Sequence, residues 1–368
     1  MSAVMVVAGT RPEIIKMAPI VRTLQTNKIP MEFVYCGQHF DYNMAQQFIE
    51  ELELPTPDHA FRIKANSPGM QTAQIMMNMD QLMEKNAYSV VLVEGDTNSV
   101  LATALAANKK NMPLGHVEAG LRSYDLRMPE EHNRRLTDHV SEYLFAPTMR
   151  AKENLKREKV WGKIFVTGNT VIDAVLQHLP IAEKKSRILE NIPFKEFALA
   201  TAHRAENVDD LTVLKSFMET FAEAPLPIIY PMHPRTRKRL LQNNLFSEME
   251  KFDNLLLLPP LGYFDFLVLM RESKLIITDS GGIQEEATAS EIRKPVLVIR
   301  LSTERPEAVE KGFAKVVGTE KRDILSAIDE TINDVGELPE KSPFGNGDAA
   351  RKIVAVIRDN FFLNRECS

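Results

Sequence analysis

The sequence has few cysteines, no excess of basic residues and no long apolar run. Its two cysteines, Cys36 and Cys367, have no metal-binding spacing and argue against a disulfide framework. The 45 basic and 50 acidic residues give a net charge of −5, which disfavours nucleic acid or an anionic membrane as a partner, because both require a broad basic surface. No apolar run reaches the roughly 18–20 residues that cross a bilayer. No basic n-region accompanies the short apolar run at 4–8, so we expect a cytosolic protein.

The sequence does contain an alternation of short apolar runs and helical stretches, in two consecutive sets. In the first set, strands are predicted at 4–8, 32–36, 89–93, 114–117, 143–146 and 163–167, with helices at 12–25, 97–109 and 134–142. In the second set, strands are predicted at 197–201, 227–230, 254–258, 274–278 and 295–299, with helices at 209–222, 264–271, 283–289 and 321–333. Such alternation predicts an α/β protein with two Rossmann-like, doubly wound, mostly parallel sheets.

The length of 368 residues suits two α/β domains. A polar, proline-bearing stretch at 178–194 separates the two sets of strands. We therefore predict a first domain over 1–175 and a second over 176–347, with a last helix at about 348–360 that packs back on the first. A stretch rich in methionine and glutamine at 70–83 predicts an amphipathic helix with adaptable packing.

The sequence GTRPE at 9–13 follows the first apolar strand and opens a helix. Glycine permits a close turn, and Pro12 suits the first helical position because its missing N–H would be unpaired there. Arg11 and Lys16 put positive charge at the positive end of the helix dipole, which is unfavourable unless an anion binds there. The segment therefore predicts an anion site, with a plain strand–helix turn carrying solvated cations as the alternative.

Ser280, Gly281 and Gly282 open a helix after a strand of the second set. Small residues at this place let backbone N–H groups and the serine hydroxyl approach phosphate oxygens. Glu285 and Glu286 follow one turn later, and a carboxylate there can accept two sugar hydroxyls, as acidic residues do for ribose in nucleotide sites. A helix cap alone would explain Ser280 and one glutamate, but not two glycines followed by two acids. Two such junctions in two halves predict a ligand held between two domains.

Carboxylates follow two neighbouring strands of the first set, Asp96 after the strand at 89–93 and Glu118 after the strand at 114–117. Both are therefore expected at the carboxyl edge of the sheet, where a ligand binds. Asp96 has the alternative role of capping the next helix, whereas Glu118 is followed by Ala-Gly. Glu130 stands at a helix start, where an acid also stabilises the helix dipole.

Histidine and arginine occupy the corresponding edge of the second set. His203 follows the strand at 197–201 and is adjacent to Arg204, and His233 with Arg235 repeats the pattern more weakly. A lone histidine is often structural, but its position at a strand end beside a cation favours a functional role.

Together these segments resemble the non-hydrolysing UDP-N-acetylglucosamine 2-epimerases. The resemblance runs from residue 4 to about residue 320, with the motifs in register and in order. The matching segments are GTRPEIIKMAP at 9–19, GDT at 95–97, HVEAGLRS at 116–123, PEE-x-NR at 129–134, TGNTVIDA at 167–174, HR at 203–204, TDSGGIQEEA at 278–287, KPVLVIR at 294–300 and TERPEAV at 303–309. One motif alone would be weak, but the ordered set is specific.

The resemblance implies two Rossmann-like domains arranged as in GT-B glycosyltransferases, with the active site between them, and a homodimer. It implies reversible inversion at C2 of UDP-GlcNAc to give UDP-ManNAc, through loss of UDP and a 2-acetamidoglucal intermediate. No metal or redox cofactor is implied, and the sequence contains no GxGxxG fingerprint. The implied roles are Arg11, Lys16 and His203 at the diphosphate or the reacting sugar, Asp96, Glu118 and Glu130 as acid–base carboxylates, Ser280, Gly281 and Gly282 at phosphate, Glu286 at the ribose hydroxyls, and Phe266 against uracil.

The sequence departs from the family pattern in one region. Many bacterial members have a longer, tryptophan-bearing segment before PEE, whereas the segment at 122–129 is short here. That region helps to form the family's activating second UDP-GlcNAc site, although Gln38 and His39 match residues near it. The sequence therefore leaves open whether substrate activates the enzyme.

The sequence is also compatible with four further functions. The same inversion could act on another UDP-2-acetamido sugar, such as a 6-deoxy or uronic derivative, or water could capture the intermediate, as in a hydrolysing epimerase. A GT-B glycosyltransferase would share the nucleotide-binding half but has no need of Asp96, Glu118 and Glu130 on one edge. A nucleotide-sugar binding protein is the non-enzymatic alternative, and the number of acids at the edge argues against it.

Overall fold

The computed structural model describes residues 2–37, 42–333 and 336–363, the side chains at 42–45, 205 and 206 excepted. The chain forms two compact units: unit 1 comprises Met1–Ala174 with Gly345–Ser368, and unit 2 comprises Val175–Phe344. Gln38, His39 and Cys367 lie outside the described residues. Within the described segments, no helix is long and apolar enough to cross a membrane.

The helices are amphipathic segments that cover the two faces of each sheet. They are α1 (Arg11–Thr26), α2 (Tyr42–Glu51), α3 (Pro68–Lys85), α4 (Asn98–Lys109), α5 (Pro129–Val140), α6 (Met149–Arg157), α7 (Thr170–Lys185), α8 (Ala205–Val208), α9 (Leu211–Ala222), α10 (Pro234–Gln242), α11 (Leu245–Met249), α12 (Tyr263–Glu272), α13 (Gly281–Glu286), α14 (Pro306–Glu310), α15 (Lys321–Asn333) and α16 (Ala349–Phe361). A short 3₁₀ helix covers Ile188–Asn191.

Unit 1 contains a parallel seven-stranded sheet with the order β3-β2-β1-β4-β5-β6-β7. Its strands are β1 (Ala3–Ala8), β2 (Met31–Tyr35), β3 (His59–Ala60), β4 (Tyr88–Glu94), β5 (Leu114–Val117), β6 (Tyr143–Ala146) and β7 (Lys163–Val166). Every residue of β4 is buried, including the terminal Glu94, as expected for a parallel strand covered by helices on both faces.

Asp173 fixes the last helix, α16, within unit 1. Its buried carboxylate accepts the main-chain N–H groups of Ala349 at 3.2 Å and Ala350 at 2.9 Å, at the helix N-terminus. A carboxylate there satisfies amides that have no partner within the helix and interacts favourably with the helix dipole. Burial nevertheless raises the pKa of Asp173 to about 6, against the lowering effect of those amides.

Unit 2 contains a parallel six-stranded sheet with the order β10-β9-β8-β11-β12-β13. Its strands are β8 (Ala198–Thr201), β9 (Ile228–Pro231), β10 (Leu255–Leu258), β11 (Leu275–Thr278), β12 (Val296–Val298) and β13 (Ala314–Val316). Phe217 and Phe221 of α9 and Ile324 and Ile328 of α15 pack in one hydrophobic core with these strands. Two doubly wound parallel sheets confirm the predicted α/β class.

Three predicted bounds differ from the structure. Glu130 stands in the first turn of α5 as predicted, and this helix covers Pro129–Val140 rather than 134–142. The stretch 178–194 that separates the two sets of strands contains the end of α7, which continues to Lys185 and buries His178 completely. The helix predicted at 283–289 is α13, which begins at Gly281 and ends at Glu286.

Candidate active site

Each sheet has one place where the strand order reverses. In unit 1 the chain passes outward from β1 to β3 and then returns to β4, beside β1; in unit 2 it passes from β8 to β10 and returns to β11, beside β8. In open α/β sheets, ligands bind at the carboxyl ends of the strands at this reversal point. Each unit thus has one reversal point, and the site residues predicted from the sequence lie around these two points.

The turn between β1 and α1 is a tightly packed unit built around Glu13. Its buried carboxylate accepts the Gly9 N–H at 2.7 Å and the Thr10 hydroxyl at 2.9 Å. Burial raises the pKa of Glu13 to about 7, although Gly9, Thr97 and Thr10 donate hydrogen bonds to it. Position 9 requires glycine, because a Cβ there would lie 2.0 Å from Oγ of Ser99.

Arg11 is exposed at the first position of α1, with its guanidinium carbon 5.4 Å from the centre of the Phe48 ring. No side chain caps this helix start, since Thr10 makes no capping hydrogen bond. The first-turn amides and Arg11 together therefore form a positive end suited to an anion.

Lys16 lies between two buried carboxyl groups. Its Nζ is 2.9 Å from Oε1 of Glu94 and contacts Oε2 of Glu118, and those side chains are 1% and 6% exposed. The side chain of Asn169 also donates to Oε2 of Glu118, at 3.2 Å. Burial raises the pKa of Glu94 well above its ordinary value; Lys16 opposes this shift and Glu118 adds to it. Lys16, predicted to bind phosphate or sugar, is therefore held by acids of its own unit.

The backbone at Glu118 is strained. Its φ of 68° is in the left-handed region, which costs a non-glycine residue about 1–2 kcal/mol. The following N–H groups hold the turn: Ala119 donates to the Phe145 carbonyl at 3.1 Å, and Gly120 donates to Asp138 at 3.2 Å. Strain of this kind clusters at functional sites.

His116 couples the two strand ends that carry Asp96 and Glu118. Its buried ring has Nδ1 2.7 Å from Asp138 and Nε2 2.8 Å from the main-chain oxygen of Gly95. Gly95 immediately precedes Asp96 and adopts a φ of 86°. The histidine thus fixes the loop that carries Asp96 to the strand that leads to Glu118.

Helix α5 holds Asp96 from the other side. Arg134 contacts the Asp96 carboxylate, and Asn133 donates to the main-chain oxygen of Asp96 at 2.9 Å. Glu131 is fully buried and accepts the Ser123 N–H at 2.9 Å, so it has a structural role. Glu130, in the first turn of α5, is exposed.

In unit 2, Asp279 ties the loop after β8 to the end of β11. Its buried carboxylate accepts the N–H groups of His203 and Arg204, each at 2.9 Å, and the side chain of Asn207 at 3.0 Å. Nδ1 of His203 lies 3.2 Å from the same carboxylate, and the His203 side chain is 37% exposed. This places a partly accessible imidazole and a guanidinium at the reversal point.

Ser280, Gly281 and Gly282 lie at the start of α13, where Ser280 occupies the cap position without making a side-chain capping hydrogen bond. Arg305 lies alongside, since a Cβ at Gly281 would be 3.5 Å from its guanidinium carbon, and its Nε is 2.7 Å from Glu285. The helix start, the hydroxyl and the guanidinium form a group of donors suited to phosphate.

Glu286 and Phe266 lie on neighbouring elements of unit 2. Burial raises the pKa of Tyr263 well above its ordinary value, and the charge of Glu286 and a hydrogen bond to it add to this effect. Tyr263 is the first residue of α12. Phe266, one turn later in α12, is partly buried.

The sequence reasoning missed five residues that organise these sites: Glu13, Glu94, Arg134, Asp279 and Arg305. Each is a charged residue that is at least nine-tenths buried. Glu94 ends an apolar strand and Asp279 follows one. Because charged residues are seldom buried without a partner, these positions in the sequence could have indicated two of the five residues. In the described part of the chain, no group of three or more His, Cys, Asp or Glu side chains could hold a metal ion.

Comparison with known proteins assigns this architecture to a family. The family model described as UDP-N-acetylglucosamine 2-epimerase matches residues 22–358. The UDP-N-acetylglucosamine 2-epimerase of Methanocaldococcus jannaschii is 43% identical over 361 residues, covering 96% of this chain and 98% of that protein. The crystal structure of the enzyme from that organism in complex with UDP-GlcNAc and UDP matches with a TM-score of 0.87, covering 98% of this chain and 100% of that chain.

A relative with a different sugar in its name is almost as similar. The UDP-2,3-diacetamido-2,3-dideoxy-D-glucuronate 2-epimerase of Pseudomonas aeruginosa is 37% identical over 365 residues, covering 96% of this chain and 99% of that protein. These matches extend over nearly the whole chain. The chain therefore belongs to the UDP-N-acetylglucosamine 2-epimerase family.

Proposed function

We propose that this protein is an isomerase that interconverts UDP-GlcNAc and UDP-ManNAc by inverting C2 of the sugar. The observation that carries the proposal is the arrangement at the carboxyl ends of β4 and β5. There Asp96 and the Lys16–Glu118 pair follow two adjacent parallel strands in a chain of this family. Family membership identifies the substrate as a UDP-sugar, and the acids supply the proton chemistry that inversion requires.

The proposed route is elimination followed by re-addition. The proton at C2 is not next to a carbonyl group, so direct removal is too slow at neutral pH. Loss of UDP from C1 as a base removes the C2 proton gives a 2-acetamidoglucal, and addition of UDP with a proton on the opposite face gives the epimer. A positioned acid or base contributes about 10²–10⁴-fold to such a step.

In unit 1, Glu118, Asp96 and Glu130 are the proposed acid–base carboxylates. Glu118 is suited to act as a base, because Asn169 and Lys16 orient it and stabilise its ionised form. Asp96 is fixed by Arg134 but retains a 31% exposed side chain, so it can reach a substrate. Glu130 is exposed and can therefore also reach a substrate. Arg11 is proposed to neutralise the diphosphate as charge develops on the leaving UDP.

In unit 2, the proposed contacts are with UDP. Ser280, Gly281 and Gly282 are suited to the phosphates, Glu286 to the ribose hydroxyls and Phe266 to the uracil ring. His203 is proposed to act at the diphosphate or the reacting sugar, because its exposed ring is anchored by Asp279.

A second candidate substrate is a UDP-2,3-diacetamido uronic acid. The observation that favours it is the 37% identity to the Pseudomonas aeruginosa enzyme named for that sugar. The inversion at C2 would be the same, and only contacts to C3 and C6 of the sugar would differ.

The test is incubation with UDP-GlcNAc in D₂O without an acceptor, with the uronic substrate in parallel. Deuterium at C2 of both UDP-GlcNAc and UDP-ManNAc is the expected result, read by NMR and mass spectrometry. Free ManNAc would instead identify a hydrolysing enzyme. Exchange on the uronic substrate alone would move the assignment to the second candidate, and exchange on neither would refute the proposal.

Variants connect the activity to the proposed residues. Asp96→Asn and Glu118→Gln should each reduce kcat at least about 100-fold while UDP affinity, measured by calorimetry, stays within about threefold. Glu84→Gln is the matched control, because Glu84 is an exposed acid of unit 1 that pairs with Lys110. Wild-type rates in both Asp96→Asn and Glu118→Gln would remove them from the mechanism.

The homodimer and the cytoplasmic location predicted from the sequence remain part of this proposal. Sedimentation at several concentrations and fractionation of the native cells test them.

A further inference from the structure

The cluster of Lys16, Glu94 and Glu118 contains one acid more than the proposed chemistry uses. Glu94 has a side chain that is 1% exposed, it ends a strand whose other residues are all buried, and it has no proposed role with the substrate. Nζ of Lys16 joins the two carboxyl groups, since it lies 2.9 Å from Oε1 of Glu94 and contacts Oε2 of Glu118, so the two acids lie side by side. Two acids in such contact, away from water, share protons rather than ionise independently.

The charge balance of the cluster favours a single proton. With both acids ionised the cluster carries a net charge of −1, and with both protonated it carries +1. With one proton on the two acids, the ammonium of Lys16 balances the remaining carboxylate. Because an uncompensated buried charge is costly, the state with one proton is favoured.

The hydrogen bonds place that proton on Glu94. Oε2 of Glu118 accepts from Lys16 and from the Nδ2 group of Asn169. The orientation of the Asn169 amide is fixed, because its Oδ1 accepts the Val171 N–H at 3.1 Å. Glu118 therefore has two donors on one oxygen, whereas the ion contact of Glu94 is with Lys16. Negative charge is better stabilised on Glu118, which assigns the proton to Glu94.

We propose that Glu94 is a positioning residue for Glu118: its carboxyl group carries a proton, donates it in a hydrogen bond to Glu118, and so keeps Glu118 ionised and oriented. This inference rests on the proposed function in assigning Glu118 to acid–base chemistry. When Glu94 loses its proton at high pH, a second negative charge forms beside Glu118, and the arrangement that orients the base is lost.

The other charged groups on the elements packed against β4 contact other partners or lie at a helix end. In α1, the carboxylate of Glu13 accepts from Gly9 and Thr10, Arg11 lies over the Phe48 ring and Arg22 donates to the Leu52 carbonyl. β1 contains no titratable side chain, and the titratable residue of β5, His116, contacts Asp138 and the Gly95 carbonyl. The charged residue of α4, Lys109, lies in its last turn. In α16, Arg351 and Lys352 pair with Asp348 at 3.4 and 2.9 Å, and Arg358 pairs with Asp359 at 3.1 Å. Lys16 and Glu118 are therefore the charges that set the proton content of Glu94.

The decisive variant is Glu94→Gln, whose amide still donates to Glu118 but has no proton to lose. At pH 7 its kcat/KM should stay within about tenfold of wild type. Its alkaline decrease in kcat/KM should move upward by at least about one pH unit. The matched control is Asp173→Asn, which alters a buried acid of the same unit that contacts main-chain amides of α16. It should keep the wild-type pH profile. Superimposable profiles for Glu94→Gln and wild type would overturn the proposal.

An infrared measurement tests the proton without turnover. In protein labelled with ¹³C-glutamate, the infrared band of protonated glutamate at pH 7 should lose the intensity of one residue in Glu94→Gln. It should stay unchanged in Asp173→Asn. Glu118→Gln should lose the same signal, because Lys16 then pairs with Glu94 alone. This second variant decides the question if Glu94→Gln fails to fold, and an unchanged signal in a folded variant overturns the proposal. If the wild type exchanges C2 hydrogen on no UDP-sugar, the proposed function fails, while the infrared result still decides whether the two acids hold one proton.

Discussion

Replacing Lys16 with methionine should destabilise unit 1 in a strongly pH-dependent way. The substitution keeps the apolar stem but removes the ammonium that lies 2.9 Å from Glu94 and contacts Glu118. Two carboxyl groups, 1% and 6% exposed, are then buried without a counter-charge. Removing one partner from a buried ion pair typically costs about 3–5 kcal/mol, and we expect a loss of that size at pH 8.

The pH dependence follows from linkage. Without Lys16, the pKa values of both acids in the folded protein lie above the unfolded value of about 4.3. A group with a raised pKa stabilises the folded state below the unfolded pKa, and that stability is lost as pH rises through the folded pKa. The difference between wild type and Lys16→Met should therefore be smallest near pH 5, where both acids bind protons, and largest near pH 8.

Urea unfolding at pH 5 and pH 8 provides the measurement. Trp161 is the single tryptophan of the chain and lies in unit 1, where its indole donates to the His139 carbonyl at 2.9 Å, so its fluorescence reports on this unit. Lys110→Met is the control, because Lys110 pairs with exposed acids and its loss should change the stability little at either pH. An equal loss at both pH values, or a loss as small as that of the control, would refute the charge argument.

Three further predictions concern neighbouring residues. Glu13→Gln should make the free energy of unfolding of unit 1 less dependent on pH between about pH 5 and 8. The pKa of Glu13 is raised to about 7, so the wild type loses about 1–3 kcal/mol as pH rises through this range. Parallel wild-type and variant curves in urea titrations would contradict this. Gly9→Ala should lower the free energy of unfolding by about 1–3 kcal/mol through its clash with Ser99. Adding Ser99→Gly in a double variant should recover part of that loss. Strictly additive losses would show that the clash is not the cause. Glu286→Ala should weaken UDP binding at least about tenfold by calorimetry through loss of the ribose contact, and unchanged affinity would remove Glu286 from the nucleotide site.

The sequence predicted the strands well because the central strands are short and mostly apolar, with few polar residues such as His116 of β5. The predictions at 114–117 and 143–146 match β5 and β6 residue for residue. By contrast, β3 has two residues and β13 has a partly exposed pattern, so neither has a run long enough to detect. The family assignment from ordered motifs is confirmed.

Helix α5 shows why apolar periodicity gave the displaced bounds 134–142 although Glu130 was placed at a helix start. Its buried residues are Glu131, Asn133, Arg134, Thr137 and Asp138, all polar, so the buried face has no apolar periodicity to detect. Asn133 and Arg134 instead contact Asp96, and Asp138 contacts His116. Polar burial of this kind becomes visible only when the partners are brought together.

The partners within each site also depend on strand order. Lys16 and Glu94 meet because β1 and β4 are neighbours, although the two residues are far apart in the sequence. Asp96, Glu118 and His203 could be placed at strand ends from local pattern alone, and the structure puts them there. Their chemical roles stay predictions, for which the experiments above are designed.

The contact between Asp173 and the start of α16 has a consequence for biosynthesis. Residues Val175–Phe344 of unit 2 are translated before the helix that Asp173 holds, so unit 1 cannot be completed until unit 2 and α16 have been synthesised. Unit 2, which is continuous in sequence, can reach its native state during synthesis, since domains generally fold as units. Maturation of the Lys16 and Asp96 half of the enzyme is therefore expected to follow the folding of unit 2.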